Sequence, residues 1–197
     1  MGVFTPETSK DFSKALKEVN QMTDQAKLKQ TAFESPHALV RLSAADRLSD
    51  KTLAQKAYAE VAIDDAFNWY REAAIDYLTD QKALAYVVKS EITKSKVRLM
   101  ALEKLISQEE LADIAMNQKY GALCVKAAIK LGDQTVAQEV FTHFAKSGED
   151  SLVRIEAAEN LTDHSLAQEV FSEIAKNDER GYVCERARKK LIDLYKV

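Results

Sequence analysis

Glycine and proline are scarce in this chain, 5 and 2 of its 197 residues. Tight hairpins and long open loops depend on both, so a β-rich fold with many sharp reversals is excluded. The two cysteines, Cys124 and Cys184, form no CxxC or zinc-type cluster. That excludes a disulfide framework and fits a reducing compartment. No apolar run reaches transmembrane length, and the N-terminus lacks the basic-then-apolar layout of a signal peptide. Met1-Gly2 begins like a myristoylation signal, but Pro6 stands where that signal needs Ser or Thr. Neither sign of charge dominates: 28 basic and 31 acidic residues leave a net charge of −3. No global excess therefore advertises nucleic acid or a membrane surface. A cytoplasmic protein is expected, and with 46% hydrophobic residues it has enough apolar material for a proper core.

Catalytic signatures are missing too. There is no Gly-rich phosphate loop, no GxSxG and no HExxH. His37, His143 and His164 are widely separated, and no cysteine joins them in an obvious zinc set, so neither a metal nor a cofactor is expected. The carboxylate pairs Asp64/Asp65, Glu109/Glu110 and Glu149/Asp150 fall at expected helix starts or loops. Negative charge there complements the helix dipole, which is preferred to general acid–base work.

What the chain has in quantity is repetition. VRIEAAENLTD at 153–163 echoes VRLSAADRLSD at 40–50 and YREAAIDYLTD at 70–80. A Leu/Met-x-Asp triplet anchors each copy: Met22-Thr23-Asp24, Leu48-Ser49-Asp50, Leu78-Thr79-Asp80, Leu131-Gly132-Asp133, Leu161-Thr162-Asp163 and Leu191-Ile192-Asp193. Leu105-Ile106-Ser107 fills the remaining slot with Ser. Successive anchors lie 26, 30, 27, 26, 30 and 30 residues apart. A period in this range predicts a solenoid whose units bury their apolar faces against their neighbours.

Each unit reads as two helices. The first starts at the Asp or Ser, whose side chain can accept from the orphan amides of the first turn. Its apolar residues recur at helical spacing, as in Leu166, Val170 and Ile174. In the connecting segment ESPHALVR, Ser35 is expected to cap and Pro36 to occupy the first helical position. The second helix carries the repeated phrase, which aligns without a gap as Val40–Leu48, Tyr70–Leu78, Val97–Leu105, Leu123–Leu131, Val153–Leu161 and Val183–Leu191. Its first, fifth and ninth positions are always apolar and share one face, with a recurring Ala that permits close helix contact. The repeats are placed at 22–47, 48–77, 78–104, 105–130, 131–160 and 161–193. Three are longer by about a turn, all of it between the Asp and the second helix. Residues 1–21 are expected to form an N-terminal capping helix, starting at Thr5-Pro6 with Phe12, Ala15, Leu16 and Val19 on one side. Arg186, Arg188, Lys189 and Lys190 give the last helix a polar closing face, and 194–197 form a tail.

This pattern, paired helices with a short period and V-R-x-x-A-A-x-x-L-x-D, resembles HEAT-like repeats, especially the short variety of phycobilisome lyase-type proteins. The resemblance covers residues 22–193 and implies an all-α, right-handed α-solenoid of about six helical hairpins with capping helices. It also implies that the arginine after the first apolar residue of the second helix joins a ladder of polar contacts between repeats. That column is Arg41, Arg71, Arg98, Cys124, Arg154 and Cys184. A guanidinium in a packed seam needs carboxylate or carbonyl acceptors. The cysteines, two repeats and therefore ~20 Å apart, are too distant for a disulfide and are read as small apolar substitutes.

In the resembled class the second helices line the concave surface. Their seventh position is Asp46, Asp76, Glu103, Ile129, Glu159 and Lys189, mostly acidic and expected to be the most exposed. The third position is Leu42, Glu72, Leu99, Val125, Ile155 and Glu185, apolar in four of six, and the eighth is largely basic, with Arg47, Lys104, Lys130 and Lys190. An acidic stripe beside an apolar one suits a peptide with basic and apolar side chains; for any single residue, packing of the third position against neighbouring second helices and a solvated face of alternating charges are preferred. Asp46, Asp76, Glu103, Ile129, Glu159, Leu99 and Tyr77 are thus candidate partner-binding residues. The expected function is a non-enzymatic protein–protein interaction scaffold or adaptor, itself a monomer.

The same resemblance carries two alternatives. A DNA glycosylase of this class would need a basic groove, aromatics near an extruded base and a carboxylate; Trp69, Tyr70, Arg71, Asp76 and Tyr77 come nearest. Trp69 is instead expected to fill a gap beside the start of its helix, and nucleic acid is not expected as a partner. A lyase-type accessory subunit, the third alternative, rests on repeat length.

Overall fold

The computed structural model of the chain describes residues 10–64 and 68–194. Thr5-Pro6, Asp65 and most of the expected tail lie outside them. Among the described residues there are thirteen α-helices and one short 3₁₀ turn, without a strand. In chain order the helices are α1 (Lys10–Gln21), α2 (Gln25–Glu34), α3 (Ala38–Asp46), α4 (Lys51–Asp64), α5 (Asn68–Tyr77), α6 (Gln81–Lys89), α7 (Ser95–Lys104), α8 (Gln108–Met116), α9 (Ala122–Ile129), α10 (Gln134–Ser147), α11 (Ser151–Ala158), α12 (His164–Asn177) and α13 (Gly181–Leu194). None of the described helices is long and apolar enough to cross a membrane.

The anchor triplets do what their chemistry predicts. Asp24, Asp50, Asp80, Ser107, Asp133 and Asp163 each accept from backbone amides in the first turn of the helix that follows. Each cap contributes ~1 kcal/mol. Leu191-Ile192-Asp193 behaves differently. It lies inside α13, where the helix runs on past the point at which earlier copies break.

The chain divides into two compact units, residues 1–105 and 106–197. In the first, α2 packs on α3, α4 on α5 and α6 on α7. The first members of these pairs also touch one another in order, as do the second members, so the unit has two rows. The A row is α2, α4 and α6; the B row is α1, α3, α5 and α7, with α1 packed on α3 as if it were the second helix of an earlier pair. In the second unit the A row is α8, α10 and α12, and the B row α9, α11 and α13.

Burial follows the alignment of the repeated phrase. The fifth position is sealed everywhere: Ala44, Ala74, Ala101, Ala127, Ala157 and Ala187 are all at 0% exposure. The small methyl lets A and B helices approach closely enough to exclude water. The sixth position is core as well, through Ala45, Ile75, Leu102, Ala128 and Ala158. Three third-position residues, Leu42, Val125 and Ile155, are also buried. A B helix has B neighbours beside it, so its flanks are covered as well as its A-facing side. The third-position column is therefore largely core, as packing against neighbouring second helices predicts, with Leu99 half-buried.

The first connection differs from the sequence expectation. α3 begins at Ala38 with His37 at its N-cap, two residues after Pro36. Ser35 Oγ accepts from the His37 amide, which turns the chain before the helix rather than capping it. The buried His37 ring meets Phe12 of α1 edge-on, with centroids 5.3 Å apart. This ties the N-terminal helix to the first pair.

The longer repeats add their extra turn at the start of the A helix. α4, α10 and α12 have 14 residues, whereas α2, α6 and α8 have 10, 9 and 9. A glutamine column shows where the register resumes. Gln25, Gln81 and Gln108 directly follow the cap, while Gln55, Gln138 and Gln168 come five residues after it.

Candidate interaction face

The glutamine column fastens successive pairs. Gln55 Nε2 donates to the Tyr77 carbonyl at 3.0 Å, and its Oε1 accepts from the amides of Thr79 and Asp80 at 2.7 and 2.9 Å. Gln25 brackets Arg47 and Ser49, Gln108 brackets Lys130 and Gly132, and Gln138 brackets Asn160 and Thr162 in the same way. One side-chain amide thus satisfies both sides of these four turns between a B helix and the next A helix. The signal was available as Q-x-x followed by a large apolar residue, in phase with the anchors.

The arginine column holds A-helix C-termini. Arg98 Nε donates to the Val88 carbonyl at 2.7 Å, at the end of α6 in its own pair. Arg154 Nε donates to Ala145 at the end of α10, and its fork also engages Glu173 on α12. Arg154 thus reaches between pairs as well, and its hydrogen bond holds the Glu173 carboxyl below its usual range. Arg41 and Arg71 occupy the same column and are half-buried. The two cysteines are donors rather than merely apolar fillers. Cys124 Sγ lies 3.1 Å from the Asn117 carbonyl, and Cys184 Sγ 3.0 Å from that of Asp178. Both thiols are buried and unbridged. Cys184 is too short to replicate Arg154; Arg188, one turn on, donates to Ala175 instead.

The seventh position of the B helices is exposed in all six copies, at Asp46, Asp76, Glu103, Ile129, Glu159 and Lys189. These residues differ in what surrounds them. Glu159 accepts an ion pair from Arg186 at 3.1 Å and another from Lys190 at 3.4 Å, both on α13, and its side chain is only 22% exposed. Other cations of this face are engaged likewise. Lys126 pairs with Glu156 between α9 and α11, Lys96 with Glu72 between α7 and α5, and Lys104 Nζ donates to the Ile75 and Asp76 carbonyls. Arg47 donates to the Met22 carbonyl just after α1. By contrast, the carboxylates of Asp46 and Asp76 have no hydrogen bond or ion pair among the described residues.

Asp46 opens onto a groove of about 280 Å³ between α3 and α5, lined also by Leu39, Leu42, Trp69, Ala73 and Tyr77. Trp69 is 61% exposed and Tyr77 50%. The tryptophan therefore stands in the groove wall instead of filling a gap, with its ring centroid 4.2 Å from that of Tyr70, which is buried. Tyr77 stacks on Tyr58 of α4 at 5.2 Å. Burial, then the Asp46 carboxylate and Tyr77, push the Tyr58 phenol from 10.0 up to about 12.

Among the described residues no three His, Cys, Asp or Glu side chains gather where they could hold a metal ion. Glu109 and Glu110 lie in the first turn of α8 and Asp150 caps α11, whereas Asp64 closes α4 rather than starting a helix. Compared with known proteins, the chain matches no family model, and no similar curated protein or solved structure was found.

Proposed function

We propose that this chain is a non-enzymatic interaction scaffold: a right-handed, HEAT-like α-solenoid of about six hairpins that receives a protein partner on a concave surface formed by its B helices. The observation that carries the reading is the contrast within the seventh column. Glu159 is neutralised by its own chain, whereas Asp46 and Asp76 are exposed without such a partner among the described residues, and Asp46 opens onto the aromatic groove. Carboxylates left in water next to exposed aromatic area suit recognition of a basic and apolar segment. The two buried thiols fit a reducing, cytoplasmic setting. Three of the four basic residues of α13, Arg186, Arg188 and Lys190, are used within the chain, each with a protein acceptor. That argues against a phosphate-binding role for them.

The test is affinity capture from host lysate with the wild type and with the double variant Asp46→Lys/Asp76→Lys, followed by rebinding of each purified candidate. The reading expects a protein that binds the wild type stoichiometrically and loses at least tenfold in affinity for the variant. A partner equally retained by both, or capture of nucleic acid alone, would overturn it.

A further inference from the structure

Resting on that reading, we propose that the α3–α5 groove is a two-point socket for an extended peptide, taking an arginine at Asp46 and Tyr77 and an apolar side chain at Trp69. The chemistry follows from how the two helices are spelled. Trp69, Ala73 and Tyr77 recur every four residues on α5 and therefore form one stripe. Their ends lie ~12 Å apart along the helix at 1.5 Å per residue. The small Ala73 leaves a depression between two exposed rings, and Leu39 and Leu42 of α3 supply its apolar opposite wall.

The two ends differ in charge. At the Tyr77 end, Asp46 is near enough to raise the Tyr58 phenol, and its carboxylate has no protein cation among the described residues. Arg47, the cation lining the same groove, is turned to the Met22 carbonyl. A guanidinium seated there stacks on the Tyr77 ring while its fork meets the Asp46 carboxylate, a pairing an ammonium cannot reproduce. At the Trp69 end no comparable charge lines the groove among the described residues, so an apolar side chain is the better occupant. An extended chain advances ~3.3 Å per residue, so side chains four apart span ~13 Å and match the two ends. Arginine and the apolar residue are therefore four positions apart in the segment.

Trp69 is the only tryptophan of the chain, so its fluorescence reports the socket directly. The probe is a blocked peptide with arginine and leucine four residues apart, separated by alanine and serine. A saturable change in Trp69 emission is expected with the wild type, weakened about tenfold in Asp46→Asn and unchanged in Glu60→Gln. Glu60 lines a different groove, and its substitution alters net charge equally. Lysine in place of arginine, or a spacing of two, weakens binding similarly. Equal loss in both variants, no saturable change, or a response to single-stranded oligonucleotide and not to the peptide would overturn the proposal. If the peptide fails while a purified partner still distinguishes the wild type from the Asp46→Lys/Asp76→Lys protein, the socket is wrong and the scaffold reading stands. If both fail, the scaffold reading falls with it.

Discussion

Gln138 holds Thr162 by both of its donors: Oε1 accepts the Thr162 amide at 2.9 Å and its hydroxyl at 3.0 Å, while Nε2 donates to Asn160 at 2.8 Å. One side chain thereby closes the turn between α11 and α12. Losing this set costs ~1–3 kcal/mol, because half-buried backbone groups lose their partner. Gln138→Ala should lower the urea midpoint clearly, and Glu139→Ala, on the exposed side of the same helix, should leave it nearly unchanged. Equal effects would deny the glutamine its role.

Arg98 and Arg47 both donate to carbonyls but differ in setting. Arg98 is half-buried and closes the end of α6, whereas Arg47 is exposed. Arg98→Ala is expected to cost ~2 kcal/mol and Arg47→Ala under ~1 kcal/mol, since a charged hydrogen bond weakens where water competes. Thermal melts of the two variants check the order.

Two of the few glycines make opposite predictions. A Cβ at Gly148 would sit 2.6 Å from the Phe144 carbonyl oxygen and 3.1 Å from Arg154 Cγ, whereas at Gly181 it would meet nothing within 4 Å. Gly148→Ala must push backbone aside and should destabilise. Gly181→Ala, at the start of α13, should stabilise by ~0.5 kcal/mol through the unfolded chain. Denaturant titration of both variants reads the two signs.

Tyr58 is held protonated above its ordinary value, chiefly by burial. A raised folded-state value adds stability that is fully present below pH 10.0 and disappears as pH rises through about 12. Wild type should therefore lose more stability across that window than Tyr58→Phe, a difference visible in urea midpoints measured against pH. Parallel curves would place the phenol in water.

Much of this architecture was legible in the sequence, because caps and core columns act locally. Asp24, Asp50 and Asp163 announce helix starts by residue type, and the invariant alanines mark the face where rows meet. Other features depend on which helices become neighbours, which a one-dimensional pattern does not carry. The acidity of Glu159 suggested a docking surface until Arg186 and Lys190 came into view from α13. Leu42, Val125 and Ile155 are buried as packing between adjacent second helices predicts, but how far that cover extends over Leu99 depends on its neighbours. Trp69 was expected to pack, as large aromatics usually do, and its exposure follows from its place in the groove wall between α3 and α5. The glutamine column was readable in principle but looks like ordinary surface polarity until its two-sided bonding is seen.

The most direct test of the scaffold reading is site-specific photocrosslinking in the host, with a photoreactive residue placed at Asp46, Asp76 or Glu60. The account predicts a discrete protein adduct from positions 46 and 76 and none of that mass from position 60 on the A row. Adducts from position 60 alone, or none from 46 and 76, would contradict it.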